Sequence, residues 1–92
     1  MSLIKETFPE DAHNALAIAS CESGLNPYVK SKPNKDGTRD GGLFQINDTH
    51  NARMEELGLD KYDPEDNAEF ARILYEEQGW KPWTCKKVLT MR

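Results

Sequence analysis

The sequence lacks a long apolar run, since no stretch approaches the roughly 18 residues that a membrane-spanning helix needs. It also lacks an excess of basic residues: 12 Lys and Arg face 16 Asp and Glu, and the net charge is -4. Proteins that capture nucleic acid through its phosphates carry a basic surface. We therefore expect no membrane span and no nucleic-acid partner.

Internal repeats and low-complexity segments are also absent. At 92 residues, with 37% hydrophobic and 30% charged side chains, the chain has room for one modest core. We expect a single, monomeric domain over residues 1–92. No signal peptide is visible, because residues 1–4 lead directly into Lys5 and Glu6. Residues 1–3 could have been added in front of a domain that was excised from a longer protein.

Cysteine is scarce, and Cys21 and Cys85 are the only two. Two thiols without His at ligand spacing cannot form a standard zinc site, so we expect no metal and no other cofactor. A disulfide between them would tie the first helix to the tail and, by loop entropy, contribute about 4 kcal/mol. Its oxidation would indicate an extracytoplasmic or extracellular location. Two buried free thiols are the alternative.

Glycine and proline divide the chain into three helical stretches around a polar middle. The first helix is predicted from near Pro9 to Gly24, with Thr7 and Glu10 spaced like a capping box. Small apolar residues recur along one side of this helix, which favours close contact with a neighbouring helix. They are Ala12, Ala15, Leu16 and Ala19.

The polar middle, residues 25–40, is rich in turn formers and is predicted to be a loop with a small hairpin. Residues 43–47 are apolar at most positions and tolerate a β conformation. Asp48 is predicted to cap a short helix that ends at Gly58.

The last helix has the clearest start and stop signals. Asp63 is the predicted N-cap, Pro64 the first helical residue and Gly79 the stop. We expect the helix to pack against the core through Phe70, Ala71 and Leu74.

Glu22 breaks a local rule. It lies two residues before Gly24, in the last turn of the first helix, where a carboxylate opposes the helix dipole. Its spacing from Ala15 and Ala19 places it on the apolar face. Burial there would raise its pKa, as a general acid working near neutrality requires. The alternative is a Glu at the edge of the stripe that reaches water.

Four segments together resemble the lysozyme-like superfamily. Residues 21–27, CESGLNP, resemble the catalytic Glu-Ser motif of lysozymes and soluble lytic transglycosylases, and residues 36–47, DGTRDGGLFQIN, resemble the hairpin that follows it. Asn67 with the alanines after it is similar to a transglycosylase helix, and residues 79–83, GWKPW, resemble the tail of phage-associated members. The resemblance covers residues 15–85 and implies a mainly helical α+β domain whose hairpin lines a glycan-binding cleft.

The resemblance also implies the chemistry. Glu22 would be the general acid and Asp40 the second carboxylate of a muramidase that cleaves the β-1,4 bond between N-acetylmuramic acid and N-acetylglucosamine in peptidoglycan. These roles are the ones that lysozyme illustrates in general accounts of glycoside hydrolysis. The alternative is a lytic transglycosylase that forms 1,6-anhydro products. Asp40 could instead be a turn residue that caps its own backbone.

Four further residues are candidates for substrate binding. Gln45 and Asn47 alternate with the apolar residues of their segment and could offer amides to sugars, or simply face solvent. Asn67 lies on the apolar stripe of the last helix, where it would support the catalytic floor or act as a first-turn residue. Trp83 is expected near the cleft and Trp80 in the core.

Three rival functions remain at this point. A calcium loop is suggested by Asn34, Asp36 and Asp40, although no closing Glu follows at the standard position. A catalytically silent glycan-binding module would keep the cleft without turnover. A hydrolase with Cys21 as nucleophile lacks a base in any recognisable motif, since the two histidines fall outside one.

Overall fold

The computed structural model describes residues 2–89. They form a mainly helical domain with one small antiparallel hairpin, as predicted. The helices are α1 (Ser2–Thr7), α2 (Ala12–Ser23), α3 (Asn51–Glu56) and α4 (Pro64–Gln78), and the strands are β1 (Asp40–Gly41) and β2 (Ile46–Asn47). Two 3₁₀ helices span Asp48–His50 and Thr84–Val88, and we call the second the C-terminal 3₁₀ helix.

The predicted start of the first helix is wrong. A separate helix, α1, precedes α2, and the Thr7 hydroxyl donates to the Leu3 carbonyl of α1 at 2.8 Å instead of capping a helix at Pro9. Glu10, the other half of the expected capping box, binds Arg72 of α4. The predicted end is confirmed, because Gly24 adopts a left-handed conformation with φ 65° and its amide donates to Ser20.

The last helix has the predicted boundaries. The Asp63 side chain accepts a hydrogen bond from the Asp66 amide, Pro64 begins α4, and Gly79 follows its last residue. The predicted core face, Phe70, Ala71 and Leu74, is buried. Local capping rules therefore suffice for this element.

The hairpin pairs Asp40 with Asn47 and Gly41 with Ile46. The four residues between the strands form a tight turn, so the predicted extended conformation of residues 43–47 holds only at its end. Gln45 has a φ of 51°, which breaks the expected alternation along a strand. Its neighbours in the turn, Leu43 and Phe44, are both fully buried.

The helix after the hairpin also differs from prediction at its start. Asn47, not Asp48, is the cap of the 3₁₀ helix, and its side chain accepts from the Thr49 amide at 3.0 Å. Asp48 instead accepts from the Arg39 amide and pairs with Lys61. Gly58 ends this region with a positive φ of 71°, two residues after α3.

One hydrophobic core joins the helices to the hairpin turn. Trp80 lies in this core, as predicted, with its ring 5.4 Å from that of Phe8 and 4.6 Å from that of Tyr75. Its indole N–H donates to Asp11 at 2.8 Å, so the polar edge of the ring is satisfied. Within residues 2–89 no helix combines the length and the apolar character needed to cross a membrane.

Candidate active site

A cleft of about 500 Å³ lies where the end of α2, the hairpin and the segment after α4 meet. Its lining is mixed, with carboxylates, amides and four apolar side chains. The lining residues are Glu22, Asn34, Lys35, Asp36, Thr38, Asp40, Gln45, Ile46, Asn47, His50, Leu74, Pro82, Trp83 and Thr84. The structure thus brings Glu22, Asp40, Gln45, Asn47 and Trp83 together in one cavity.

Glu22 lies half-buried in the last turn of α2. Its Oε2 atom accepts a hydrogen bond from the Cys85 amide at 3.1 Å and a longer one from the Thr84 hydroxyl at 3.3 Å. Both donors come from the start of the C-terminal 3₁₀ helix. The carboxyl group is therefore held between two parts of the chain that are distant in sequence.

The pKa of Glu22 is raised above its ordinary value. Burial is the largest cause, because a partly desolvated carboxylate is less stable than the neutral acid. The hydrogen bonds from Cys85 and Thr84 oppose this by stabilising the charged form, and the nearby charge of Asp40 adds a smaller upward contribution. The charge of Asp40 thus disfavours ionisation of Glu22 across the cleft.

Asp40 reaches the cleft from β1. Its Oδ1 atom accepts a hydrogen bond at 2.8 Å from the amide of Asn47, the residue directly opposite on β2. The same Asn47 nitrogen lies 3.0 Å from the Thr38 hydroxyl oxygen. The carboxylate is therefore held by its cross-strand neighbour, and the structure shows no cap of its own backbone by Asp40 within residues 2–89.

Gln45 also lines the cleft, but its amide nitrogen is already used. It donates to the carbonyl oxygens of Val29 and Gly42, both at 3.0 Å. The side-chain oxygen accepts no hydrogen bond from residues 2–89, so it is the atom left to bind a ligand donor such as a sugar hydroxyl or acetamido N–H.

Asn67 does not line the cleft. Its side chain is fully buried, accepts from the Phe44 amide at 2.7 Å and donates to the carbonyl oxygens of Gly41 and Lys61 at 3.1 and 2.8 Å. The prediction that Asn67 binds substrate is therefore wrong, because a side chain with no exposed surface cannot touch a sugar. Its contacts instead support the turn between the strands.

Trp83 has only 3% relative exposure, yet it borders the cleft. Its indole N–H donates to the Phe44 carbonyl at 2.8 Å, and its ring packs 5.2 Å from that of Trp80. Trp83 therefore joins the tail to the hairpin turn and offers a ligand only a small part of its surface.

The predicted disulfide joins Cys21 of α2 to Cys85 of the C-terminal 3₁₀ helix. Cys21 directly precedes Glu22 in sequence, and the backbone amide of Cys85 is the one that contacts Glu22. The covalent link therefore holds the C-terminal 3₁₀ helix against the end of α2, beside the Glu22 carboxyl group.

Two residues at the site were not predicted from sequence. The Ser23 hydroxyl donates to the Leu43 carbonyl at 2.7 Å and so connects α2 to the hairpin turn. Its place directly after Glu22 in the Glu-Ser motif was the available signal. For Thr84 the available signal was its place directly before Cys85, since the predicted disulfide would bring that part of the tail to Cys21 and so close to Glu22.

Of the residues considered for calcium, Asn34 and Asp36 form hydrogen bonds within the turn before β1, whereas Asp40 lies in β1. Asp36 accepts hydrogen bonds from the Thr38 amide and hydroxyl at 3.0 and 2.6 Å. Across residues 2–89 no group of three His, Cys, Asp or Glu side chains is arranged to hold a metal ion.

Comparisons with known proteins agree with this architecture. A family model described as "Lysozyme like domain" matches residues 6–85. Protein IpgF of Shigella sonnei is 45% identical over 42 residues, which are 46% of this chain and 27% of that protein, so the chain spans about a quarter of this curated relative. Because the family model matches most of the sequence, the chain belongs to the lysozyme-like domain family.

Proposed function

We propose that this domain cleaves the glycan strands of peptidoglycan, at the β-1,4 bond between N-acetylmuramic acid and N-acetylglucosamine. The observation that carries the proposal is a half-buried carboxyl group with a raised pKa, Glu22, in the same cleft as a second carboxylate, Asp40. Family membership adds to it, because the cleft lies in the part of the chain that matches the lysozyme-like model.

Glu22 is proposed to donate the proton that the glycosidic oxygen needs in order to leave. Burial favours the neutral acid, so the proton stays available at a pH where an exposed Glu would have lost it. Cleavage should accordingly persist above the ordinary pKa of a glutamate and fall as the pH rises through the raised pKa of Glu22. A pH profile of cell-wall lysis measures this loss of activity on the alkaline side.

Asp40 is proposed to stabilise the positively charged sugar or to attack it, which gives hydrolysis. Its hydrogen bond from Asn47 fixes the orientation of one carboxylate oxygen. The lytic transglycosylase alternative uses the substrate's own acetamido group at this step and releases 1,6-anhydro sugars. The position of Asp40 in the cleft favours the hydrolytic reaction.

The site of action is proposed to lie outside the cytoplasm, because the Cys21–Cys85 disulfide is stable in oxidising compartments. Peptidoglycan is the proposed partner, and its shape rather than charge must provide binding, since the chain has a net charge of -4. A monomeric state, a single domain over residues 1–92 and an association with phage remain predictions.

The first experiment replaces Glu22 by Gln. The amide keeps the shape of the side chain, but its N–H protons are far too weakly acidic to be transferred, so we expect lysis of purified cell walls to fall by at least a hundredfold. Glu56→Gln, at an exposed carboxylate at the end of α3, is the matched control and should keep full activity. Substantial lysis by the Glu22 variant would refute its role as the acid.

The second experiment replaces Asp40 by Asn and identifies the products by mass spectrometry. If hydrolysis occurs, the wild type yields reducing muramic-acid ends, and the variant loses turnover by orders of magnitude with glycan binding nearly unchanged. Anhydro products, lighter by one water, together with a mild Asp40→Asn phenotype, would establish transglycosylation instead. Glycan binding without any product would identify a silent binding module.

A further inference from the structure

Both hydrogen bonds that Glu22 receives end on the same oxygen. The Cys85 amide and the Thr84 hydroxyl contact Oε2, whereas Oε1 receives no hydrogen bond from residues 2–89. An amide N–H can only donate, so Oε2 must act as an acceptor towards Cys85. In a neutral carboxyl group the carbonyl oxygen is a far better acceptor than the hydroxyl oxygen.

From this asymmetry we infer that Thr84 is a positioning residue: together with the Cys85 amide it keeps Oε2 as the carbonyl oxygen and leaves the transferable proton on Oε1. The inference rests on the proposed role of Glu22 as proton donor. Oε1 is then the atom that the glycosidic oxygen must approach, and Thr84 acts on the reaction through Glu22 without donating a proton to the sugar itself.

The surroundings of Thr84 allow it to hold this position. It is the first residue of the C-terminal 3₁₀ helix, with Trp83 bound to the Phe44 carbonyl before it and Cys85 bound to Cys21 after it. Both neighbours are buried, whereas Thr84 is exposed and lines the cleft. Its backbone is therefore fixed by two tertiary attachments, and its hydroxyl can be removed without disturbing either.

The direction of the Thr84 hydrogen bond decides between two arrangements. If the hydroxyl donates to Oε2, it stabilises the carboxylate, and its removal must raise the pKa of Glu22 further. If the proton of Glu22 lies on Oε2 and is donated to the Thr84 oxygen, the hydroxyl also stabilises the neutral acid, so its removal destabilises both forms and the rise in the pKa is cancelled or reversed. A clear rise therefore places the proton on Oε1, whereas a pKa that falls or does not move places it on Oε2.

The test is a ¹³C NMR titration of the Glu22 carboxyl carbon, identified as the signal that is lost in Glu22→Gln. Thr84→Val removes the hydroxyl at nearly constant shape and should raise the midpoint by about half a pH unit or more. Thr84→Ser keeps the hydroxyl and should titrate like the wild type. Thr49→Val, at an exposed threonine outside the cleft, is the matched control and should also be unchanged.

A midpoint that falls in Thr84→Val, or does not move, would overturn the inference, and so would a Thr84→Ser midpoint that follows that of the valine variant. Should Thr84→Val not fold, the amide proton of Cys85 in the wild type provides the second measurement. Its chemical shift should change with the same midpoint as Glu22, and an invariant shift would equally overturn the inference.

Activity measurements separate this inference from the proposed function. In an active enzyme, Thr84→Val should lower kcat several-fold at unchanged KM and move the alkaline limb of the pH profile in the direction of the NMR shift. If Glu22→Gln keeps full activity, the proposed function fails, while the titration still reports where the proton lies. A titration that contradicts the inference leaves the hundredfold loss in Glu22→Gln, and so the proposed function, unaffected.

Discussion

At the scale of single residues, the buried amide of Asn67 supports the turn between the two strands. It satisfies one backbone donor and two backbone acceptors around the hairpin turn. Gly42 permits this arrangement, because a Cβ atom there would lie only 3.0 Å from Asn67 Cγ and closer still to its nitrogen and to the Lys61 carbonyl, and its φ of 83° already disfavours a side chain. Asn67 and Gly42 thus form one interlocked unit.

We predict that Asn67→Ala destabilises the domain by about 2–4 kcal/mol, because it leaves buried backbone groups without partners. Urea unfolding monitored by tryptophan fluorescence measures the change. Asn51→Ala, at an exposed position in α3, is the control and should lie within about 0.5 kcal/mol of the wild type. Equal stability of the two variants would show that the Asn67 hydrogen bonds do not hold the turn.

Glu22 shows how much of the candidate site could be predicted from sequence. Its position at the helix end and its spacing from Ala15 and Ala19 predicted that its side chain would be buried. The structure agrees, since the pKa of Glu22 is raised chiefly by burial. The predicted disulfide would bring Cys85 close to Glu22, but the hydrogen bonds from Thr84 and from the Cys85 amide could not be predicted, because they depend on the backbone path of the tail, which no local periodicity records.

At the scale of elements, capping rules predicted the boundaries correctly where the capping residues interact within their own helix. Helix α4 has its cap, first proline and terminal glycine in place, and the structure follows them. The start of α2 failed because both members of the apparent capping box have other partners: Thr7 binds within α1, and Glu10 binds Arg72. The expected strand failed because Gln45 adopts a positive φ.

The contact between Arg72 of α4 and Glu10, beyond α1, is a two-pronged ion pair at 2.6 and 2.7 Å. Arg72 also lies over the Phe8 ring at 5.7 Å. We predict that Arg72→Lys lowers the thermal midpoint by a few degrees at neutral pH, because an ammonium group can neither form both hydrogen bonds nor stack as a guanidinium does. Glu10→Gln should produce a similar loss.

The pH dependence of stability distinguishes the loss of this ion pair from other causes of a lower thermal midpoint. Hydrogen bonding to Arg72 lowers the pKa of Glu10 to about 2. Because the pKa of Glu10 is lower in the folded than in the unfolded protein, the ion pair stabilises the fold fully at a pH above the unfolded-state pKa. This stabilisation is lost as the pH falls through the folded-state pKa. The difference in stability between the wild type and Arg72→Lys should therefore narrow as the pH approaches 2, leaving the part that comes from stacking on Phe8. A constant difference down to that pH would contradict the assignment.

At the scale of the whole molecule, the disulfide closes most of the chain into one loop, with 64 positions between Cys21 and Cys85. We predict that reduction lowers the free energy of unfolding by about 4 kcal/mol, chiefly because the unfolded chain gains freedom. Urea unfolding with and without a thiol reductant measures this. The Cys21→Ala, Cys85→Ala double variant should match the reduced wild type and should itself be insensitive to reductant; an unchanged midpoint on reduction would refute the prediction.

Cys85 has two functions in this fold, since it is a half-cystine and also supplies the amide that contacts Glu22. Synthesis runs from the N-terminus, so a ribosome releases α2, the hairpin and α4 before it releases Thr84 and Cys85. Until those two residues have emerged, Glu22 lacks both of the hydrogen bonds that it receives in the folded domain. The surroundings of this carboxyl group are therefore among the last parts of the described fold to be completed during synthesis.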